Sequence, residues 1–322
     1  MVEEPPKPKA SAAKWISLGV TAGLVAAGIV YIVRHADQFA AVGRLSGGQC
    51  AAVSGLALVS LVLLGWSNKL VVRVFEIDLR FSEWFGLTMV GAMVNMFAPF
   101  APGAGMRALY LKRVHGLAYV HFANCLAAPL LVGTMVNSLL ALVALGLLWA
   151  RHGPVSSALF ALVLAAFLGP LALVLWPVSV KAPDRKWLRR LAMLVNGWRT
   201  VATNRLIVMQ LGAAMAARAL LLTVVYAIIL SGIGVRAPLL ACLTMASLGS
   251  VVRLINVTPG ALGIYEGVLM AISSTFGIPP SAGMMVGLVH RLVSSVIILA
   301  SGAVFSHILG REVAAAEHDV TR

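Results

Sequence analysis

Long apolar runs without a charged side chain constrain this chain more than any other feature. Residues 118–149 contain no Asp, Glu, Lys or Arg, and no acidic residue of any kind occurs between Glu83 and Asp184. About 20 apolar residues suffice for a helix to cross a bilayer, so such runs read as transmembrane helices. Of the 322 residues, 60% are hydrophobic and 11% are charged. Soluble domains are only about 45–50% apolar and about 25% charged, which excludes a soluble globule and a disordered chain. A β-barrel needs strands that alternate polar and apolar residues, and these runs do not alternate. The expected fold is therefore all-α, a polytopic membrane protein.

Lys and Arg number 25 against 11 Asp and Glu, for a net charge of +14. On a membrane protein this excess points to cytoplasmic loops and anionic lipid rather than to nucleic acid. Cys50, Cys125 and Cys242 all lie in apolar context and read as small core residues, not as a disulfide framework.

Residues 1–14 are polar and Pro-rich and are expected to form a disordered cytoplasmic tail. Trp15–Val33 is an apolar run of 19 residues, too long for a signal-peptide core, and reads as an uncleaved first span. Gly47 and Gly48 mark a turn ahead of a second span at about Cys50–Trp66. Residues 68–83 mix charge with apolar side chains and look interfacial. Trp84–Ala98 is apolar but reaches only roughly 22 Å at 1.5 Å per residue, short of a hydrocarbon core of about 30 Å. It ends at Pro99 and Pro102, and a short helix, Ala108–Val114, returns to Gly116. A short limb, a Pro/Gly break and a shorter returning limb describe a re-entrant hairpin at about 84–116. Backbone broken at membrane depth is tolerated only where protein or a wet cavity satisfies it.

Beyond the 118–149 span and the turn at 151–154, Val155–Val178 spans again. Residues 181–205 hold seven of the 25 basic residues and one acid, Asp184. Trp187, Leu188, Leu191, Leu194, Val195 and Trp198 share one helical face, with Arg185, Lys186, Arg189 and Arg190 largely off it. This is the pattern of an amphipathic helix on anionic lipid. Leu206–Leu230 spans next. A second broken hairpin follows at about 237–277, interrupted at Asn256-Val257-Thr258-Pro259-Gly260. Ser281–Leu309 is the last span, and 311–322 is a cytoplasmic tail.

The halves 15–150 and 154–310 therefore have one order: span, span, broken hairpin, long span. Placing the basic 181–205 segment in the cytoplasm puts 68–83 and Lys112-Arg113 there too, with Arg151 and Arg236 outside. The hairpins then enter from opposite sides and the halves are inverted, with six full spans, two hairpins and both termini cytoplasmic. Inverted repeats with broken helices at the midplane are a transporter arrangement. Eight full spans are the alternative.

Arg107 and Glu266 each follow a break, near the start of a returning helix. A helix N-terminus carries partial positive charge and free N–H groups, so Pro102-Gly103 and Pro259-Gly260 are candidate phosphate contacts. Arg107 would add a planar fork of donors; otherwise it snorkels to the interface or pairs with Glu266. Glu266 is a deep acid that could pair with Arg291 or Arg253 or gate by protonation. Arg291, Arg253 and Arg218 are deep as well, and a cavity with several arginines and one glutamate favours an anionic headgroup. His290 could relay protons, or pack as a hydrogen bonder. Asn95 and Asn256 flank the two breaks. With Asn124 and Asn137 they could line a polar path or tie helices together. Gly283 and Gly287 read as helix packing.

The segments NMFAPFAPGAGMRALYLKR and RLINVTPGALGIYEGVLMAISSTFGIP, followed by Arg291, resemble the lysylphosphatidylglycerol synthase transmembrane, flippase-like family over nearly the whole chain. The second motif, Pro259-Gly260, Gly263, Glu266 and then Arg291, is the more specific. The first departs from the family, which often has an acidic residue just ahead of the arginine matching Arg107; here Gly105-Met106 stand there. The resemblance implies movement of a lipid between leaflets of the inner, cytoplasmic membrane. The lipid could be a phospholipid or an isoprenoid or hopanoid type. In some relatives the domain precedes a soluble aminoacyltransferase. This sequence stops at Arg322, so synthase activity is not implied.

No GxxxxGK[ST], CxxC, HExxH or GxSxG occurs, and the histidines lack metal-ligand spacing. The expectations are thus no enzyme activity, no cofactor, no metal and no nucleic acid. Lipid would move by a gradient or by equilibration, with a homo-oligomer or a lipid-modifying enzyme as candidate partners. A membrane enzyme acting on lipid-linked substrates and an accessory scaffold are the competing readings.

Overall fold

The computed structural model describes residues 33, 43–97, 102–153, 156–175, 201–202, 204–252, 258 and 261–320. The expected N-terminal tail, most of the Trp15–Val33 span and most of the basic 181–205 helix lie outside the described residues. Those described form helices and no strand: α1 Gly47–Val72, α2 Phe81–Phe97, α3 Pro102–His115, α4 Tyr119–His152, α5 Ser157–Leu175, α6 Arg205–Gly232, α7 Leu239–Val252, α8 Ile264–Thr275 and α9 Pro280–Val320. Four helical stretches, 47–75, 121–150, 205–232 and 280–313, are long and apolar enough to cross a membrane. The protein is a multi-pass membrane protein of all-α class.

Helix boundaries follow local chemistry. Gly47 and Gly48 are not a turn: they form the first turn of α1, capped by Ser46, whose Oγ accepts the Gln49 N–H while Gln49 Oε1 accepts the Ser46 N–H. This reciprocal capping box satisfies two donors at once and tolerates the glycines behind it. At its other end α1 continues through the charged 68–72 segment to Val72, because Leu70, Val71 and Val72 are buried. Pro129 lies inside α4 and does not end it. The 311–320 segment continues α9 as helix.

The short elements come as two pairs. Helices α2 and α3 have 17 and 14 residues, and α7 and α8 have 14 and 12. At 1.5 Å per residue they reach roughly 25, 21, 21 and 18 Å, none of them the roughly 30 Å of a bilayer core.

The packing pattern is reciprocal. Helix α1 lies against α6, α2 against α9, and α7 against α4. Each hairpin's first limb therefore rests on the long helix that follows the other hairpin. Two cores result. One gathers Leu145, Tyr226, Met245, Tyr265 and Leu269 around α7 and α8. The other gathers Val71, Leu87, Leu111, Phe122 and Leu211 around α2 and α3.

Candidate functional site

Glycine sets the geometry of the first hairpin. A Cβ on Gly103 would sit 2.0 Å from the Gly91 carbonyl oxygen, so only hydrogen fits where α3 crosses α2. Close backbone approach of this kind is how small residues join membrane helices. Asn95 supports the crossing: its Oδ1 accepts the Gly103 N–H at 2.8 Å. Asparagine is a favoured acceptor at helix starts because it satisfies an otherwise orphaned donor. The Gly103 N–H in the described conformation thus already has a partner, and Pro102 has none to offer.

One turn on, the same crossing carries Arg107. Its Cδ lies 3.4 Å from where a Gly91 Cβ would be, and its Nε is sealed from solvent without a hydrogen-bond partner. No ion pair to Arg107 occurs among the described residues. A guanidinium is always charged and has only donors, so among the described residues this charge has no carboxylate to balance it. It lines a cavity of about 20 Å³ shared with Asn68, Thr88, Leu111, Phe122 and Cys125. Asn68 Nδ2 donates to Thr88 Oγ1 at 3.1 Å within that lining. Such a volume holds about one water and no headgroup.

The second hairpin is electrostatically different. Glu266 is 4% exposed and receives Arg291 Nε on Oε1 at 2.5 Å and the Gly263 N–H on Oε2 at 2.8 Å. Arg291 Nη2 reaches the Ala261 carbonyl at 3.3 Å, so one guanidinium ties α9 to both the carboxylate and the loop before α8. That loop is tight: Ala261 has φ 54°, in the left-handed region, and its N–H donates to the Thr258 carbonyl at 2.9 Å. Glu266 is therefore both counter-ion and cap. Its partner is Arg291, not Arg107. Arg291 also lies 5.9 Å from the centre of the Tyr265 ring, and Tyr265 Oη shares a hydrogen bond with Tyr226 Oη. His290 is buried, edge-on to Tyr226 with ring centres 6.0 Å apart, and its Nε2 lies 3.4 Å from Ser294 Oγ.

Gly283 and Gly287 allow α9 this close. A Cβ on Gly283 would fall 2.5 Å from the Leu269 carbonyl oxygen, and one on Gly287 would fall 3.2 Å from Glu266 Cγ. Asn137 bonds within its own helix, Nδ2 to the Gly133 carbonyl at 2.7 Å, rather than to a neighbouring one. Arg253, Asn256, Pro259 and Gly260 lie outside the described residues.

These two Gly-rich crossings, with their charged residues, fall within a single family match. The family described as Lysylphosphatidylglycerol synthase TM region covers residues 15–302. The chain belongs to that family. None of the curated proteins matches it individually. As a member of the lysylphosphatidylglycerol synthase TM-region family, the chain is a membrane protein of lipid metabolism or transport.

One polar cluster of this family member escaped the sequence reading. Glu83, Tyr110, His115 and Glu312 converge from α2, α3 and α9. Glu83 ended the interfacial 68–83 segment in sequence, and Glu312 headed the tail, so nothing in spacing joined them. The signal available was the acid-free stretch that begins immediately after Glu83.

Proposed function

We propose that this chain moves an anionic lipid between the leaflets of the inner membrane, its headgroup passing Arg107 while the tails stay in the bilayer. The observation that carries this reading is the contrast between the two hairpins. Glu266 is neutralised by Arg291, whereas Arg107 is half-buried, with its Nε sealed and unpartnered among the described residues. A charge at membrane depth costs at least about 2.5–3.5 kcal/mol on insertion scales, and such residues mark substrate pathways. A phosphate or pyrophosphate headgroup supplies the counter-charge, and the Arg fork suits it geometrically.

The reciprocal packing supports an inverted repeat of two halves with re-entrant hairpins. It pairs α2 with α9 and α7 with α4, as a pseudo-two-fold exchange of halves requires. Orientation by basic residues puts Lys69, Lys112, Arg113 and Arg311 on the cytoplasmic side, with both termini. Glu83, Tyr110 and Glu312 meet one another, which supports putting the segments that carry them on one side. The Asn95 cap and the small cavity leave no room for a headgroup beside the Arg107 Nε in the described conformation. Headgroup access to Arg107 then requires α3 to part from α2 or α4. The chain carries no reaction of its own in this reading, and a lipid-modifying enzyme is the natural partner. Phospholipids and lipid-linked substrates of isoprenoid or hopanoid type that carry an anionic headgroup share the recognised chemistry.

The test is transport in vesicles holding the purified protein and phosphatidylglycerol with a fluorescent acyl chain, quenched from outside. Faster loss of inner-leaflet signal than in empty vesicles, at least about tenfold slowed by Arg107→Ala, supports the reading. Equal rates for the wild type and empty vesicles across phosphatidylglycerol and polyprenyl phosphate probes would overturn it. A chemically altered probe would favour a membrane enzyme instead.

A further inference from the structure

Helix α6 ends in a glycine turn that leaves a groove beside it. Gly234, at φ 84°, donates its N–H to the Ser231 carbonyl at 3.1 Å, and the Val235 N–H reaches back to the Leu230 carbonyl at 2.8 Å. A left-handed glycine with such return bonds closes a helix C-terminus. The chain becomes helical again at Leu239, the start of α7. Between the two helix ends lies a groove of about 690 Å³, with Val224, Ala227, Ile228, Ser231, Arg236 and Leu239 in its lining. Ligand sites typically enclose about 300–1,000 Å³, so the space is large enough for part of an organic molecule.

The groove is apolar at one end and cationic at the other. Val224 and Ser231 are seven residues apart on α6, roughly 10 Å along its axis. Helix α6 is one of the four stretches long and apolar enough to cross a membrane, and Ser231 and Arg236 stand at its C-terminal end. The wall at Val224, Ala227 and Ile228 therefore lies towards membrane depth, and the mouth lies towards headgroup level. Ser231 Oγ gives its hydrogen to the Ile228 carbonyl at 2.9 Å, which leaves the exposed Arg236 guanidinium as the side-chain donor of the lining. No described carboxylate pairs with Arg236, and no Asp or Glu stands between Asp184 and Glu266 in the sequence. A Cβ on Gly232 would meet Leu45 and Gln49, so the start of α1 lies beside the end of α6 and brings the exposed Arg44 to the same end of the bundle.

We propose that this groove binds one anionic membrane lipid, with an acyl chain along Val224, Ala227 and Ile228 and the headgroup phosphate on Arg236. A neutral lipid would cover the apolar wall and leave the guanidinium unpaired. A soluble anion would pair with the guanidinium and leave the wall bare. An amphiphile with a negative head satisfies both, and the planar fork of arginine suits phosphate. The site is separate from Arg107. The Arg107 cavity is lined by Asn68 and Val72, near the other end of α1, roughly 32 Å along that helix from Gly47. The two sites therefore face opposite leaflets, and the groove needs no lipid movement past Arg107.

The test uses the full chain in phosphatidylcholine vesicles, with Cys50→Ser to remove the exposed thiol and a bimane fluorophore on Leu220→Cys. Leu220 is exposed one turn further into the membrane on α6 and is not in the groove lining, so the fluorophore reads the groove without filling it. Bromine on a lipid acyl chain quenches bimane on contact. Brominated phosphatidylglycerol should bind beside Leu220→Cys about fivefold more tightly than brominated phosphatidylcholine, the scale of one arginine at an anionic surface. The same fluorophore on Val296→Cys, exposed on α9, should show no preference. Arg236→Gln should abolish the preference at Leu220→Cys, Arg236→Lys should keep most of it, and Ala227→Phe should lower it by filling the wall. Arg107→Met should leave it unchanged. Equal quenching by the two lipids in the wild-type background, or a preference that survives Arg236→Gln, would overturn the proposal. Quenching by neither lipid would overturn it too, because protein would then cover the groove. A preference lost in Arg107→Met alone would place the lipid at Arg107 and overturn the groove site, while leaving the transport reading standing.

Discussion

Arg291 Nε donates to Glu266 Oε1 at 2.5 Å across the α8–α9 contact, and the same guanidinium holds the Ala261 carbonyl. The pair neutralises the second hairpin. Arg107, its counterpart after the first break, has no such partner among the described residues, and the asymmetry sets the opposite signs of the first two predictions.

Breaking the neutralised pair should destabilise. Glu266→Gln leaves the Arg291 charge facing a neutral amide and weakens the Gly263 cap. Loss of one partner of a buried pair costs about 3–5 kcal/mol. Thermal unfolding in detergent should show a clear drop in Tm for Glu266→Gln. Glu266→Gln with Arg291→Met should recover part of it, whereas additive losses would deny the coupling.

Removing the Arg107 charge, which no described carboxylate balances, should do the reverse. Arg107→Met keeps a long apolar side chain and discards the half-buried cation. We expect stability to rise by about 1–3 kcal/mol, the scale of a membrane-depth charge, while transport falls. A drop in Tm for Arg107→Met would indicate a counter-ion for Arg107 that the described residues do not include.

The hairpin crossing should be sensitive at one glycine and not at another two residues away. A Cβ at Gly103 meets the Gly91 backbone at 2.0 Å, whereas one at Gly105 meets nothing within 4 Å. Gly103→Ala should lower stability by about 1–3 kcal/mol or abolish folded yield, the range for overpacking against backbone that cannot give way. Gly105→Ala should be neutral or slightly stabilising, because alanine is the better helix former. Size-exclusion profiles and melting curves of the two variants read this directly.

Asn95 should act through its acceptor oxygen. Asn95→Ala orphans the Gly103 N–H and should cost about 1 kcal/mol. Asn95→Asp retains an acceptor at that N–H and adds a negative charge beside the Arg107 turn. It should keep stability and, if Arg107 serves an anionic headgroup, weaken retention of anionic lipid. Equal lipid retention in the alanine and aspartate variants would count against that role.

Much of this was legible in the residues. Charge-free runs marked the four helices long enough to cross a membrane, and Pro102-Gly103 stands at the start of α3. The returning limb of the second hairpin, read as Ile264–Phe276, is helical over Ile264–Thr275, whereas that of the first, read as Ala108–Val114, runs from Pro102 to His115 because proline is tolerated in a helix's first turn. A pair between Glu266 and a cation was among the readings because a deep acid needs one, though spacing alone could not choose among Arg291, Arg253 and Arg107. What sequence could not give was contact between distant segments. Glu83 and Glu312 lie 229 positions apart, and only the packing of α2 against α9 brings them to one tyrosine. The end of α1 was misjudged because charges at 68–72 suggested an interface, while burial of the adjacent Leu70–Val72 kept the chain helical. Gly47 and Gly48 read as a turn because glycine is a weak helix former, and the Ser46–Gln49 capping box outweighed that preference.

The central claim is that Arg107 holds an anionic lipid headgroup. Native mass spectrometry of the gently extracted protein, with identification of the retained lipids, tests it most directly. The account predicts one anionic lipid class bound to the wild type and to Gly105→Ala, and lost from Arg107→Met. Retention of bulk membrane lipid alone, with the same composition in all three, would contradict it.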